Sequence, residues 1–285
     1  MMKRLTPVIE WGTLLVSTGI VCFFLAVILL DLIIKGLPSL SWDFVSTFPT
    51  AGMTKGGILP AIIGTVLLTL ITAAAAAPFG ISCAIYLNEY AAETWITKLI
   101  RASIRNLAGI PSIIYGLFGL ALFVQGLKMG TSLLSAGLTL GLLSLPYIIT
   151  TTEEALRRIP NSTREAALAV GATQFESIRD VVLPSALPGI LTGLVLTLSR
   201  AAGETAPILF TGVAFYINNP TGYLNQEFMA LPYHLYMLST QHHSIEEVRP
   251  LAYGTALVLL CVVFLLNLTA FYIRYKHTKN GPRAH

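Results

Sequence analysis

Charge is what this sequence has least of. Only 11% of its 285 residues are Asp, Glu, Lys or Arg, against 54% hydrophobic residues and a mean hydropathy of +0.72. So few charges cannot coat a soluble globule of this length, which makes the chain an integral membrane protein. Cysteine is scarce too. Cys22, Cys83 and Cys261 each stand alone in an apolar run, and no two have the spacing of a metal site. His242 and His243 are adjacent rather than at i, i+4, which argues against a shared metal. No G-x-x-x-x-G-K-S/T phosphate loop occurs, so ATP hydrolysis is not assigned to this chain. The net charge of +4 is scattered over short segments rather than gathered on one face, and nucleic acid is not an expected partner.

What is present is a series of apolar runs. A helix needs about 20 apolar residues to cross the hydrocarbon layer, and six runs qualify, near residues 11–34, 58–87, 107–127, 129–152, 188–215 and 251–273. The first is too long for a signal-peptide core and has no A-x-A-like cleavage site, so it is expected to stay as an anchor. If the N-terminus is cytoplasmic, the inner segments collect thirteen Lys and Arg, while the outer ones hold only Lys35, Lys55, Lys128 and Arg249. This asymmetry predicts cytoplasmic N- and C-termini and a cytoplasmic loop at 153–187. Two outer segments are long. Residues 36–57 carry Trp42, and residues 216–250 carry Tyr223, Tyr233, Tyr236, Glu246 and Glu247. They read either as interfacial anchors or as a docking surface for an extracytoplasmic partner.

The cytoplasmic loop contains the one long polar stretch that looks folded, EAALAVGATQFESIRDVVLP at 165–184. Pro160 breaks the preceding helix, and Ser162 followed by Glu165 has the form of a capping box that starts a new one. Gly171 fits a C-terminal cap, where a residue without Cβ enters the left-handed region cheaply. Thr173 with Glu176 forms a second capping box, and Phe175, Ile178 and Val182 then recur at i, i+3 and i+7 as one apolar stripe. Pro184 and Pro188 are expected to end that element and set up the next span. The expected product is two short helices around a glycine bend. An amphipathic helix lying on the membrane surface would show much the same pattern.

Glu165-Ala166-Ala167, then Gly171, Val181 and Leu183-Pro184 in a fixed frame resemble the EAA motif of ABC importer membrane subunits, with Val181 where the family usually has Ile. The resemblance implies a coupling region seated in a groove of a separate ATP-hydrolysing subunit, formed by Glu165, Ala166, Ala167, Gly171, Phe175, Ile178, Leu183 and Pro184.

A second constellation lies in the fifth run, where LTGLVLTLSRAAGETAPILF carries Arg200 and Glu204. A charge near the bilayer centre costs roughly 2.5–3.5 kcal/mol, so both are expected to face protein or water rather than lipid. At i and i+4 on one helix they could neutralise each other. Arg200 also offers a rigid fork of donors suited to a tetrahedral oxyanion, with Glu204 holding it or tempering its grip. Ala201, Ala202, Gly203, Thr205 and Ala206 remove bulk around the pair, and Pro207 removes a helix hydrogen bond after it.

Four segments together, GGILPAIIGTVLLTL, NLAGIPSIIYGLFGL, TEEALRRIPNSTREAALAVGAT and LPGILTGLVLTLSRAAGETAPILF, are similar to the phosphate ABC transporter permeases of the PstA type. The resemblance implies an all-α membrane protein with the six-helix type I importer permease fold, in one transmembrane domain over 1–285 of a prokaryotic inner membrane. It implies a second homologous permease of the PstC type, a homodimeric ATPase that holds the ATP and Mg²⁺, and an extracytoplasmic phosphate-binding protein. No cofactor is expected on this chain. In that family an Arg and a Glu of the corresponding span are linked to phosphate passage, and they match Arg200 and Glu204. Two alternatives remain at this stage. A permease for sulfate or molybdate would share these features, whereas an ion-driven secondary carrier would normally show an internal repeat, which is not found here.

Overall fold

The computed structural model describes residues 5–217 and 224–280. Tyr223 lies outside the described residues.

Two helices make the centre of the bundle. α3 (Leu59–Ile85) and α6 (Leu133–Arg157) run against each other along most of their lengths. Glycines allow the close approach: a Cβ on Gly137 would stand 2.4 Å from Ile71, and one on Gly80 would stand 2.7 Å from Ile148. Such small-residue contacts are how helices associate where lipid removes the hydrophobic drive. The buried hydroxyls are also satisfied. Thr65, Thr69 and Thr139 each donate to the carbonyl four residues back, at 2.7–2.8 Å, so burying them leaves no orphan polar group.

The remaining elements wrap this pair. α1 (Leu5–Gly36) is apolar and touches the rest mainly through α12 (Ile245–Asn280), where Lys35 bridges Asp31 at 2.6 Å and reaches the Tyr253 hydroxyl at 3.5 Å. α2 (Trp42–Ser46) leads into a short hairpin, with β1 (Pro49–Thr50) antiparallel to β2 (Lys55–Gly56) in the register Pro49 to Gly56. After α3, a widened turn at Tyr86–Tyr90 leads to α4 (Trp95–Leu107), and α5 (Ser112–Gly119) continues through a second widened stretch at Leu120–Gly126. Past α6 come α7 (Asn161–Ala169), α8 (Gln174–Glu176), α9 (Leu183–Ala201), α10 (Ala206–Leu209) and α11 (Leu231–Thr240). The Leu231 amide donates to Thr65 Oγ1 at 2.8 Å, tying α11 to α3. Burial pushes His234 on α11 down to about 4, and its Nδ1 has no hydrogen-bond partner among the described residues.

Among the described residues, five helices are long and apolar enough to cross a membrane, or six if α4 and the limb at Ser112–Gly126 count as one bent span. The all-α, multi-span fold agrees with the sequence reading, but three details differ. The third span, expected at 107–127, is one limb of an elbow bent by 98°. The bend falls at Ala108–Pro111, where Pro111 is extended and has no amide for the Leu107 carbonyl, which accepts the Ile110 amide at 3.2 Å and the Tyr115 hydroxyl at 3.0 Å, while the Ala108 carbonyl accepts the Tyr147 hydroxyl.

The fifth span, expected at 188–215, begins earlier and ends earlier, running from Gln174 to Ala201. Pro184 and Pro188 do not interrupt it. Pro184 sits in the first turn of α9, just after a widened turn at Ser177–Val182 that relieves the carbonyl an α-helical turn would press against its ring. Ser162, finally, is not a cap. Pro160, with ψ of 143°, already turns the chain, so α7 starts at Asn161 without a side-chain capping bond.

Candidate functional site

The polar segment after α6 is built as two helices around a glycine. The Ala172 amide donates to the Ala167 carbonyl at 3.2 Å and the Gly171 amide to the Leu168 carbonyl at 3.0 Å, a Schellman ending with Gly171 at φ +93°. Thr173 then caps the next helix reciprocally: Glu176 N donates to its Oγ1 at 3.3 Å, and its own amide donates to Glu176 Oε2 at 2.8 Å.

The apolar stripe of this segment splits. Ile178 and Val182 are buried, Val182 against the ends of α3 and α6, whereas Phe175 is 62% exposed and Val170 is 86% exposed. Glu165, Ala166, Gly171 and Pro184 are also exposed, while Ala167 is buried and Leu183 half-buried. Large apolar side chains left out of the core on an otherwise polar segment are what a protein–protein or membrane contact surface presents.

Two residues that the sequence did not single out hold this segment to the bundle. Arg164 donates from Nε to Glu89 Oε2 at 3.0 Å and from Nη2 to Glu89 Oε1 at 2.7 Å, a bidentate pair between α7 and the end of α3. Arg164 also donates to the Leu156 and Ile159 carbonyls, and Gln174 Nε2 donates to the Glu89 carbonyl at 2.7 Å. Those bonds to Glu89 raise the Arg164 guanidinium above its ordinary value, so the cation is firmly kept. A cleft of about 610 Å³ lies beside this fastening, between Asn88, Arg157, Asn161 and Ser177. Glu89 and Arg164 are 75 residues apart, and no local spacing links them.

Arg200 lies in the last turn of α9, and Glu204 lies beyond it. The expectation of one helical face therefore changes. The helix stops at Ala201, and Gly203 and Glu204 fold back through tight turns to the Arg200 and Ala201 carbonyls, at 3.0 and 3.1 Å. Pro207, with no amide to donate, sits in the first turn of the short α10 after this break. The turn still brings the charges together. Arg200 Nε is 3.5 Å from Glu204 Oε1, with Arg200 51% exposed and Glu204 16%.

The guanidinium also stacks over Tyr147, 4.4 Å from the ring centroid. The Tyr147 hydroxyl donates to the Ala108 carbonyl at 2.7 Å, so the ring is fixed by the elbow after α4. Below the pair opens a cleft of about 530 Å³, with Ser199, Gly203 and Glu204 on one wall and Leu235, Leu259 and Val263 on the other. Irregular backbone at this depth is tolerated where it lines a cavity. The arrangement presents a permanent cation with donors to spare, a carboxylate that can hold it, and an apolar opposite wall.

On the two segments expected outside, Trp42 at 36–57 is exposed, and at 216–250 Tyr233 stacks on Tyr236 at 6.3 Å. His242 is structural: its Nδ1 accepts from the Ser244 amide and its Nε2 bonds the Gly52 carbonyl at 2.8 Å. Among the described residues, no group of three or more His, Cys, Asp or Glu could hold a metal.

Known proteins agree with this architecture. Residues 76–277 match the family described as binding-protein-dependent transport system inner membrane component. The chain is 31% identical to a probable ABC transporter permease protein, YqgI, of Bacillus subtilis over 96% of both chains. It is 35% identical to the phosphate transport system permease protein PstA of Pasteurella multocida over 87% of both. With PstA of Xylella fastidiosa it shares 36% identity, over 84% of this chain and 82% of that one. Among solved structures, a bacterial alginate ABC transporter chain superposes with a TM-score of 0.69 at 18% identity, over 96% of each chain. A chain of the MetNI methionine ABC transporter superposes with a TM-score of 0.63 at 20% identity, over 77% of this chain and 95% of that one. These matches place the fold in a known architecture: the chain is a member of the binding-protein-dependent transport system inner membrane component family, a membrane-embedded permease subunit of an ABC importer.

Proposed function

We propose that this permease imports inorganic phosphate by alternating access, with Arg200 and Glu204 on the translocation path and the segment at 165–184 as the link to the ATPase. One observation carries the reading. Arg200 is half exposed and held only at its edge by Glu204 and at its face by Tyr147, which leaves guanidinium donors free for an oxyanion. Several relatives matched over most of the chain are named phosphate transport system permease proteins.

In this account a second permease of the PstC type completes the path. A homodimeric ATPase, carrying ATP and Mg²⁺, meets Phe175 and Val170 on the cytoplasmic side, and an extracytoplasmic protein delivers phosphate to the outer segments. Both termini and residues 153–187 face the cytoplasm, and the whole chain is one transmembrane domain. Nucleotide binding closes the ATPase pair and pulls on the coupling segment. That pull enters α9 directly, because the helix is continuous from Gln174 to Arg200.

A path for another oxyanion is the reading to set against this one, because YqgI is named without a substrate. A competition assay separates the two. Unlabelled phosphate is expected to suppress labelled phosphate uptake while sulfate and molybdate at the same concentration do not, and suppression by either of those would reassign the substrate.

A further inference from the structure

The helix α4 (Trp95–Leu107) has an apolar side that no other described element covers. Trp95 is 74% exposed, and Ile96, Leu99, Ile100 and Leu107 beside it are exposed as well. At about 100° per residue, these five fall within one arc of the helix, with Lys98 and Arg105 on the other side. Residues 95–107 contain no Asp or Glu, and neither Lys98 nor Arg105 is in an ion pair among the described residues. Both are exposed.

The third side is pinned inward. Arg101 donates from Nε to Glu153 Oε1 at 3.1 Å, from Nη2 to the Leu87 carbonyl at 2.6 Å, and from Nη1 to Glu93. Thr97 beside it is buried. The helix therefore cannot roll, and its apolar and basic sides have fixed directions.

Its direction relative to the membrane follows from the elbow. The limb at Ser112–Gly126 turns 98° from α4, so a helix leading into a span at right angles runs along the surface. Thirteen residues span about 20 Å, too short to cross. A short helix with a tryptophan and branched aliphatics on one side and only cations on the other suits a lipid interface better than water, where the apolar side would be bare, or a protein seam, where unmatched cations would be costly.

We infer that α4 lies in the headgroup layer of one leaflet, with Trp95, Leu99 and Ile100 among the upper acyl chains and Lys98 and Arg105 holding anionic lipid headgroups. The occupant is lipid, and its headgroup is anionic. Through Arg101 and Glu153 the lipid-seated helix braces the end of α6 from which α7 departs. This inference does not depend on which anion the permease carries.

The test uses the purified complex in nanodiscs that contain brominated phosphatidylglycerol or, at the same mole fraction, brominated phosphatidylcholine. Subtracting the fluorescence of the Trp95→Phe complex isolates the signal of Trp95. Brominated phosphatidylglycerol is expected to quench that signal about two- to five-fold more strongly than brominated phosphatidylcholine, given the attraction of exposed Lys and Arg for anionic lipid. Lys98→Gln with Arg105→Gln is expected to abolish the preference while leaving Trp95 quenched. Absence of quenching by either lipid, or equal quenching by both in the unsubstituted complex, overturns the inference. A photoreactive benzoylphenylalanine introduced in place of Leu99 gives an independent readout: adducts with lipid are expected, and an adduct with another subunit contradicts lipid as the occupant.

Discussion

The Arg200 guanidinium lies 4.4 Å from the centroid of the Tyr147 ring, stacked between α9 and α6 just where the fifth span breaks. A charge stacked on one face of an aromatic ring keeps its in-plane donors free, so the contact orients Arg200 without using up its capacity for an anion.

Replacing the ring removes that orientation. Tyr147→Leu is expected to raise the half-saturation concentration for phosphate uptake about five-fold, corresponding to about 1 kcal/mol of cation–π attraction. Tyr147→Phe keeps the ring and loses only the hydroxyl bond to Ala108, so it is expected to stay close to the parent. Uptake kinetics of the two variants check this, and equal effects would shift the role to the hydroxyl.

Glu204 Oε1 lies 3.5 Å from Arg200 Nε, where on the proposed path it would compete with the anion. Glu204→Gln therefore leaves the guanidinium freer to grip phosphate and slower to release it. Both the half-saturation concentration and the maximal uptake rate are expected to fall together, by several-fold. A rise in half-saturation would instead mean that Glu204 positions Arg200 for binding.

Gly171 separates a steric cause from a conformational one. A Cβ there meets nothing within 4 Å, but the φ of +93° is strained for any L side chain. The left-handed penalty is about 1–2 kcal/mol and larger for a β-branched residue. Gly171→Val is expected to leave ATP hydrolysis running in the assembled complex while uptake is lost, with Gly171→Ala intermediate. Parallel ATPase and uptake measurements report this, and unchanged coupling in the Val variant would detach the bend from energy transfer.

Arg164→Gln breaks the fastening to Glu89 and leaves that largely buried carboxylate unpaired. Breaking such a pair costs about 3 kcal/mol, and the loss is local. Hydrogen exchange is expected to accelerate across residues 161–182 while α3 and α6 keep their protection. Exchanging the two charges is not expected to restore it, because Arg164 also donates to the Leu156 and Ile159 carbonyls, which a Glu cannot do. Unchanged exchange in Arg164→Gln would mean the segment is held by Ile178 and Val182 alone.

What could be read from the sequence were features whose cause is local. The Schellman end at Gly171 and the Thr173–Glu176 box announce themselves within a few residues, as does an apolar run long enough to cross a membrane. The misplaced features depend on partners or on helix geometry. Pro184 looked like a stop because the widened turn that accommodates it leaves no residue-type signal. Glu204 seemed one turn above Arg200, but the chain leaves the helix at Ala201 and reaches the same contact by a fold-back. The Glu89–Arg164 and Tyr147–Arg200 contacts join residues 75 and 53 positions apart, beyond any helical period. The helix α4 did have a signal, the spacing of Trp95, Ile96, Leu99 and Ile100, but Lys98, Arg101 and Arg105 made residues 95–107 read as a charged segment between spans.

The account rests on Arg200 as the group that phosphate meets. The most direct measurement is ATP-driven uptake of labelled phosphate into proteoliposomes that carry the complex with Arg200→Gln, with subunit retention checked on the same preparation. Uptake at background with every subunit retained is the predicted result; undiminished uptake by the assembled variant would contradict the account.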